Sequence, residues 1–198
     1  MPTRKASLPN DVNARCVIVL CRHGETDANA GGAFLSASDP PLNAAGTAQA
    51  QEAARVLRDA EFDFALTSPK LRCRQTCAIL APTIEARCDD RLVEVNFGMW
   101  EGRTKEWLER HEADALRQRS ENPVNFRPPA GESFADAATR LRPLAERLRA
   151  DSSKRILVVA HRGTLGVLER LLRDLPLTSQ AVVPLEPGEF RTIDSVSP

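Results

Sequence analysis

Two histidines and two arginines stand where strongly apolar runs give way to polar chain. Arg22 and His23 end VIVLCRH, Arg72 follows a second apolar run within SPKLRCRQT, and His161 ends RILVVAH. A carboxylate, Glu94, lies in LVEVNFGMWEG. Guanidinium groups match the oxygens of a phosphoryl group through paired hydrogen bonds. An imidazole is largely unprotonated at neutral pH, which leaves it nucleophilic. A carboxyl group can protonate a departing oxygen and later take a proton from water. Cations for a dianion, a nucleophile and an acid are what cleavage of a phosphate monoester requires.

Each residue also has a plainer reading. For either histidine alone, a hydrogen bond to a nearby loop is the commoner role; both together beside Arg22 and Arg72 favour chemistry. Glu101 lies close to Glu94, and either carboxylate could instead cap a helix or pair with an arginine. Arg74 reads as a solvated helix arginine and Trp100 as a packing residue, with Gly98 and Gly102 permitting a tight turn. Ser133, in Gly131-Glu132-Ser133, reads as a helix cap. Cys73 and Cys77 could hold a metal with Cys88 or a histidine, but their spacing differs from the compact pairs of structural zinc sites, so no metal is expected.

The elements that would position these groups follow from patterning. Cys16 to Arg22 reads as a strand, Asn43 to Ala60 as an amphipathic helix, and Phe62 to Thr67 as a short strand with alternating apolar residues. Ser68-Pro69 ends that strand and opens a helix to about Leu80. Ile84 to Cys88 suggests a third strand. Phe134 to about Ala150 carries Ala137, Leu141, Leu144 and Leu148 at helical spacing, with Pro143 predicting a kink or break. Arg155 to Ala160 is a buried strand, Gly163 to Leu172 a helix, and Glu189 to Ile193 an edge strand. This alternation predicts a three-layer α/β/α sandwich with a mainly parallel sheet. Arg22, His23 and His161 then fall beyond the carboxyl ends of buried strands, where such sheets place ligands.

A chain of 198 residues suits one domain spanning 1–198. Its 27 basic and 27 acidic residues give no net charge, which argues against nucleic acid or an anionic membrane as partner. The start, MPTRKASLPNDVNAR, lacks the apolar core of a secretory signal, and no segment is long enough to span a bilayer. A cytoplasmic protein is expected, its five cysteines reduced and mostly in apolar segments. Oligomeric state is not readable from these features.

Six pieces occur in a telling order: RHGET with Asn29 three residues after Thr26, PPLNAAG, SPKLRCRQT, E-x-x-FGMWEG, GES and VVAHRG. Together, from about Val17 to Leu172, they closely resemble the histidine phosphatase superfamily, the phosphoglycerate mutase-like proteins. The resemblance implies that His23 attacks phosphorus and becomes a phosphohistidine. Arg22, Arg72 and His161 would clamp the equatorial oxygens, with Asn29 adding a hydrogen bond. Glu94 would serve as acid and then base. No metal or cofactor is implied, and the partner is a small phosphomonoester. Glu132 or Ser133 would reach near the site.

Two features depart from the family pattern. Arg162 stands after the second histidine where many relatives carry glycine or another small or polar residue, and its role is unassigned. Phe97 replaces a tyrosine-containing segment of the mutase branch, and mutases must exclude water to retain the phosphoryl group. A phosphatase resembling the α-ribazole and broad-specificity enzymes is therefore expected, over a mutase or a non-catalytic phosphate-binding module. Substrate choice would fall to a helical and loop segment at about 103–130. There Trp107, Arg110, His111, Arg117, Arg119 and Arg127 suit a phosphorylated organic molecule, though such a charge run is more often a solvated face.

Overall fold

The computed structural model describes residues 17–151, 154–177 and 185–194. Five strands form one sheet: β1 (Val17–Arg22), β2 (Phe64–Thr67), β3 (Arg87–Cys88), β4 (Arg155–Ala160) and β5 (Phe190–Asp194), in the order β3-β2-β4-β1-β5. All neighbours are parallel except β5, which runs antiparallel to β1 along the edge. The helices are α1 (Asp27–Ala30), α2 (Ala44–Val56), α3 (Leu71–Leu80), α4 (Lys105–His111), α5 (Ala113–Glu121), α6 (Phe134–Ala150) and α7 (Arg162–Leu172).

Strand periodicity divides the core into two layers. Ile18, Leu20, Leu66, Ile156, Val158 and Ala160 face Ala137, Leu141, Leu144, Leu165 and Leu168 of α6 and α7. Val19, Cys21, Ala65, Leu157 and Val159 face Ala53, Cys73, Cys77 and Leu80 of α2 and α3. The sandwich is therefore three layers thick, as the alternation predicts.

The observed boundaries differ from the expected ones for local reasons. The helix expected from Asn43 to Ala60 ends at Val56; Asn43 caps it, its Oδ1 accepting from Gly46 N at 2.8 Å. The second strand begins at Phe64, and the third keeps only Arg87–Cys88 because Ile84 and Ala86 pack against the core as loop residues. Pro143 does not break α6. It faces solvent, where water can meet the carbonyl it leaves unpaired. Cys21, Cys73 and Cys77 are buried, but Cys88 is exposed, and Cys16 lies outside the described residues. The helix expected from Ser68-Pro69 starts at Leu71, its first N–H received by Asp39 Oδ1 at 2.6 Å.

Strand register sets the geometry of the sheet's carboxyl edge. Arg22 pairs with Ala160 across β1 and β4, and His23 N donates to Ala160 O at 3.0 Å. His23 and His161 are thus the first residues past two paired strand ends. No helix among the described residues is long and apolar enough to cross a membrane.

Candidate active site

The two imidazoles meet edge to face with their centroids 5.1 Å apart. His23 is buried, and its Nδ1 lies 2.7 Å from Gly24 O. A carbonyl only accepts, so Nδ1 carries the proton and Nε2 keeps its lone pair. Burial, then the charge of Arg72, pulls the His23 pKa down to about 3, so the ring is neutral at physiological pH. The tautomer with its lone pair at Nε2 is thereby fixed by the protein itself.

That loop is held by close backbone approaches. A Cβ on Gly24 would meet Gly46 O at 2.3 Å, and one on Gly46 would meet Glu25 O at 2.1 Å. Two glycines let the loop after β1 lie directly against the first turn of α2. Thr76 Oγ1 accepts from Gly24 N at 3.1 Å and donates to Arg72 O at 2.8 Å, tying the same loop to α3.

Arg72 is fully buried. Its Nη1 donates to Ser38 O at 2.9 Å and Nη2 lies 3.3 Å from His161 Nδ1, while Nε has no partner. Since guanidinium only donates, His161 Nδ1 accepts, and its Nε2 donates to Ser68 Oγ at 2.9 Å. Burial, then the neighbouring His23, Arg72 and Lys70, hold His161 well below its ordinary pKa. Arg22 donates to Leu185 O at 2.9 Å and lies 4.0 Å from Glu186, and its buried Nε is also unpaired. Burial lowers the Arg22 pKa, Glu94 opposes that shift, and the guanidinium stays charged. A fully buried and a largely buried guanidinium, each with an unpaired Nε–H, beside two neutral imidazoles form a setting for an anion.

Glu94 is buried against the start of α7. Its Oε1 accepts from Val95 N and Thr164 N at 2.9 Å and from Thr164 Oγ1 at 3.2 Å, and its Oε2 from Gly163 N at 3.2 Å. Helix amide groups favour a carboxylate at this position. A Cβ on Gly163 would come within 2.8 Å of Oε1, so glycine there is what admits the carboxylate.

The structure thus gathers His23, His161, Arg22, Arg72 and Glu94 at one end of the sheet. Asn29 is spent partly on its own helix, because its Oδ1 accepts from Thr26 N and Thr26 Oγ1 in a reciprocal cap on α1, which leaves its NH2 group to donate. Glu132 pairs with Arg140 at 2.8 Å, its N donates to Asn96 O at 2.8 Å and its Oε2 accepts from Asn96 N at 3.3 Å, and Ser133 caps α6. Of the two, Glu132 is the one tied to the loop that follows Glu94. Arg74 is exposed, and so is Arg162, which opens α7. Trp107 stacks on His111 at 4.4 Å and the Arg103 guanidinium also lies over its ring, while Trp100 is buried among Phe34, Phe126 and Arg119. Sequence reasoning missed Ser68, Thr76 and Thr164; small hydroxyl residues beside a charged motif are the only signal they leave. No group of three or more His, Cys, Asp or Glu side chains suited to a metal occurs among the described residues.

Strand-end histidines, buried arginines and a helix-anchored carboxylate on a doubly covered, mainly parallel sheet define a phosphate-handling α/β enzyme. The family model of the histidine phosphatase superfamily (branch 1) matches residues 18–195, and the chain belongs to that superfamily. It is similar to the adenosylcobalamin/alpha-ribazole phosphatase of Salmonella typhimurium, 32% identical over 178 residues and 88% of each chain. It is also similar to a 2,3-bisphosphoglycerate-dependent phosphoglycerate mutase of Methylobacterium radiotolerans, 34% identical over 181 residues, covering 85% of this chain and 82% of that one. Among solved structures, the alpha-ribazole phosphatase of Shigella flexneri superposes with a TM-score of 0.80 at 29% identity, over 90% of both chains. A mycobacterial glucosyl-3-phosphoglycerate phosphatase in complex with VO3 gives 0.80 at 28% identity, over 90% of this chain and 92% of that one. The chain is a histidine phosphatase.

Proposed function

We propose that the chain is a metal-independent phosphomonoesterase that hydrolyses a small phosphorylated metabolite through a phosphohistidine at His23. The observation that carries this reading is the fixed tautomer of His23, with a free Nε2 lone pair beside Arg72 and His161. In the first step Nε2 attacks phosphorus, the P–O bond to the alcohol breaks, and the alcohol oxygen takes a proton from Glu94. In the second, Glu94 takes a proton from water, the hydroxide displaces His23, and inorganic phosphate leaves. Oε2 of Glu94, with its single 3.2 Å contact, is the oxygen best placed to carry that proton.

Arg22 and Arg72 supply the standing positive charge. His161 spends both nitrogens within the protein. An arriving dianion favours protonation at Nδ1, turning an acceptor facing Arg72 into a donor for a phosphoryl oxygen. Asn29 adds its NH2 group. The segment at 103–130 selects the alcohol.

Turnover of p-nitrophenyl phosphate and a panel of sugar, nucleotide and carboxylic acid phosphates, all in chelator, tests the proposal. Release of phosphate is expected, with His23→Ala lowering kcat by at least about 10⁴-fold. Failure across the whole panel would sink it. Mutase activity is the competing reading suggested by the second relative; it predicts transfer primed by bisphosphoglycerate instead of net release.

A further inference from the structure

Glu101 ends the motif FGMWE, yet it faces neither histidine. Its Oε2 accepts from Ser36 N at 2.8 Å, Ser36 Oγ at 2.7 Å and Ala37 N at 3.1 Å. Its Oε1 accepts from Ser38 N at 3.0 Å and Ser38 Oγ at 2.9 Å. Three successive backbone N–H groups converge on one carboxylate, as they do in backbone anion nests. Although burial opposes it, this set of donors holds the Glu101 pKa down at about 2, so the carboxylate stays charged across the range in which the enzyme would be assayed.

The same short loop turns its carbonyls the other way. A trans peptide is planar, so pinning Ser38 N–H to Glu101 points Ala37 O in the opposite direction. That oxygen accepts from Lys70 Nζ. Ser38 O accepts from Arg72 Nη1 at 2.9 Å, and Asp39 lies 3.9 Å from that nitrogen while receiving Leu71 N at the start of α3. Arg72 makes no other side-chain bond to a backbone carbonyl among the described residues. Phe34 and Gly102 are linked by a 2.8 Å backbone bond, and Phe97 N donates to Ser36 Oγ at 3.1 Å, so the loop is also stitched to the segment that carries Glu94.

We propose that Glu101 is a positioning residue for phosphoryl transfer: by organising the 36–38 loop it aims the Arg72 guanidinium and keeps it in register with Glu94. Glu101 itself touches no reacting atom. The inference rests on the reading of Arg72 as an anion clamp, and it predicts that Glu101 acts through Arg72 and not on the fold at large.

A double-mutant cycle on the full chain tests it, with turnover of p-nitrophenyl phosphate and inhibition by orthovanadate as readouts. Glu101→Gln keeps the shape but sets an NH2 group against backbone donors. It is expected to lower kcat/KM by up to about 100-fold, as misplacement of a clamping group does, and to weaken vanadate inhibition at least about tenfold. In an Arg72→Ala background the same change is expected to cost less than about threefold. An equal loss in both backgrounds, or unaltered vanadate inhibition, overturns the proposal. Ser38→Ala removes one hydroxyl contact and is a milder probe should Glu101→Gln fail to fold. It is expected to give a smaller loss that again vanishes without Arg72, and additivity there would also overturn the proposal. If the wild-type chain turns over nothing, the phosphatase reading fails on its own, and orthovanadate affinity by calorimetry still carries the cycle.

Discussion

The strand-end floor of the site and the segment at 103–130 are built on opposite plans. On the floor, Arg72 and His161 are wholly buried, and their polar groups answer to partners far away in sequence. In the segment, Leu108 is the single buried residue of α4, and α5 has none. Two of its ion pairs, Lys105 with Glu109 and Asp114 with Arg117, join neighbours on exposed helix faces, and a third takes Arg127 to Asp136 of α6. The floor is over-determined, so its geometry survives only as a set; the exposed faces of α4 and α5 carry local, separable contacts, and the segment is moored elsewhere by Arg119 and Phe126 against Trp100.

The comparison can be broken most sharply at Glu94. Glu94→Gln is expected to lower kcat about 10³-fold on an alkyl phosphate, the scale of losing a general acid. With p-nitrophenyl phosphate, whose leaving group needs little protonation, the loss should be far smaller. Equal losses on the two substrates would deny Glu94 the acid role.

A smaller effect is expected at Gly163. The new methyl of Gly163→Ala meets the far end of the Glu94 side chain and not backbone, so the thermal midpoint should change little while kcat falls about tenfold. Unchanged kcat would mean that Glu94 needs no anchoring by α7.

Acidification tests the buried histidines together. The unfolded chain takes up a proton at each near pH 6.5, whereas folded His23 does so only near 3 and folded His161 is lowered in the same sense. Between those values the unfolded state is the more protonated, so stability is complete above about pH 6.5 and lost as pH falls. His23 alone should cost roughly 2 kcal/mol at pH 5. The lowered carboxylates, Glu101 and Asp89 among them, lose their contribution as pH falls through the ordinary carboxylate range and below it, beneath the interval from pH 5 to pH 7. Urea titrations at pH 7 and pH 5 in phosphate-free buffer measure the difference, and a flat profile would contradict the assigned burial.

The smallest effects belong to the segment. Arg117→Ala should alter neither stability nor turnover measurably, because its exposed pair with Asp114 is worth at most about 0.5 kcal/mol. Arg119 is different: its half-buried guanidinium lies 5.4 Å from the Phe34 ring and 5.6 Å from that of Trp100. Arg119→Ala should re-rank substrates by KM while leaving vanadate inhibition intact. A change in vanadate inhibition would mean that the segment is not separable from the floor.

The same division explains what the sequence discloses. Apolar runs announce β1 and β4, and the polar residues that end them announce the histidines and Arg22, because chemistry at a strand end leaves both a run and an abrupt stop. Arg72 and Glu94 are visible as residue types, but motif order is what singles them out from their neighbours. The supporting contacts are invisible: Ser68, Thr76 and Thr164 carry no periodic signal, and their partners lie up to 93 positions away. Glu101 competes with Glu94 for the acid role in the sequence because spacing cannot say which carboxylate faces the 36–38 amides. Asn29 matches a ligand donor in the motif, yet half of its amide closes the cap on α1. Pro143 argues for a break that its solvent-facing position makes unnecessary.

The alignment of β1 with β4 has one last consequence. Adjacent strands lie roughly 4.8 Å apart, and the imidazole centroids are 5.1 Å apart, so the gap between the rings is inherited from the hydrogen-bond ladder itself. Neither α4 nor α5 takes part in that ladder, so a change confined to either leaves the ruler between the rings as it is.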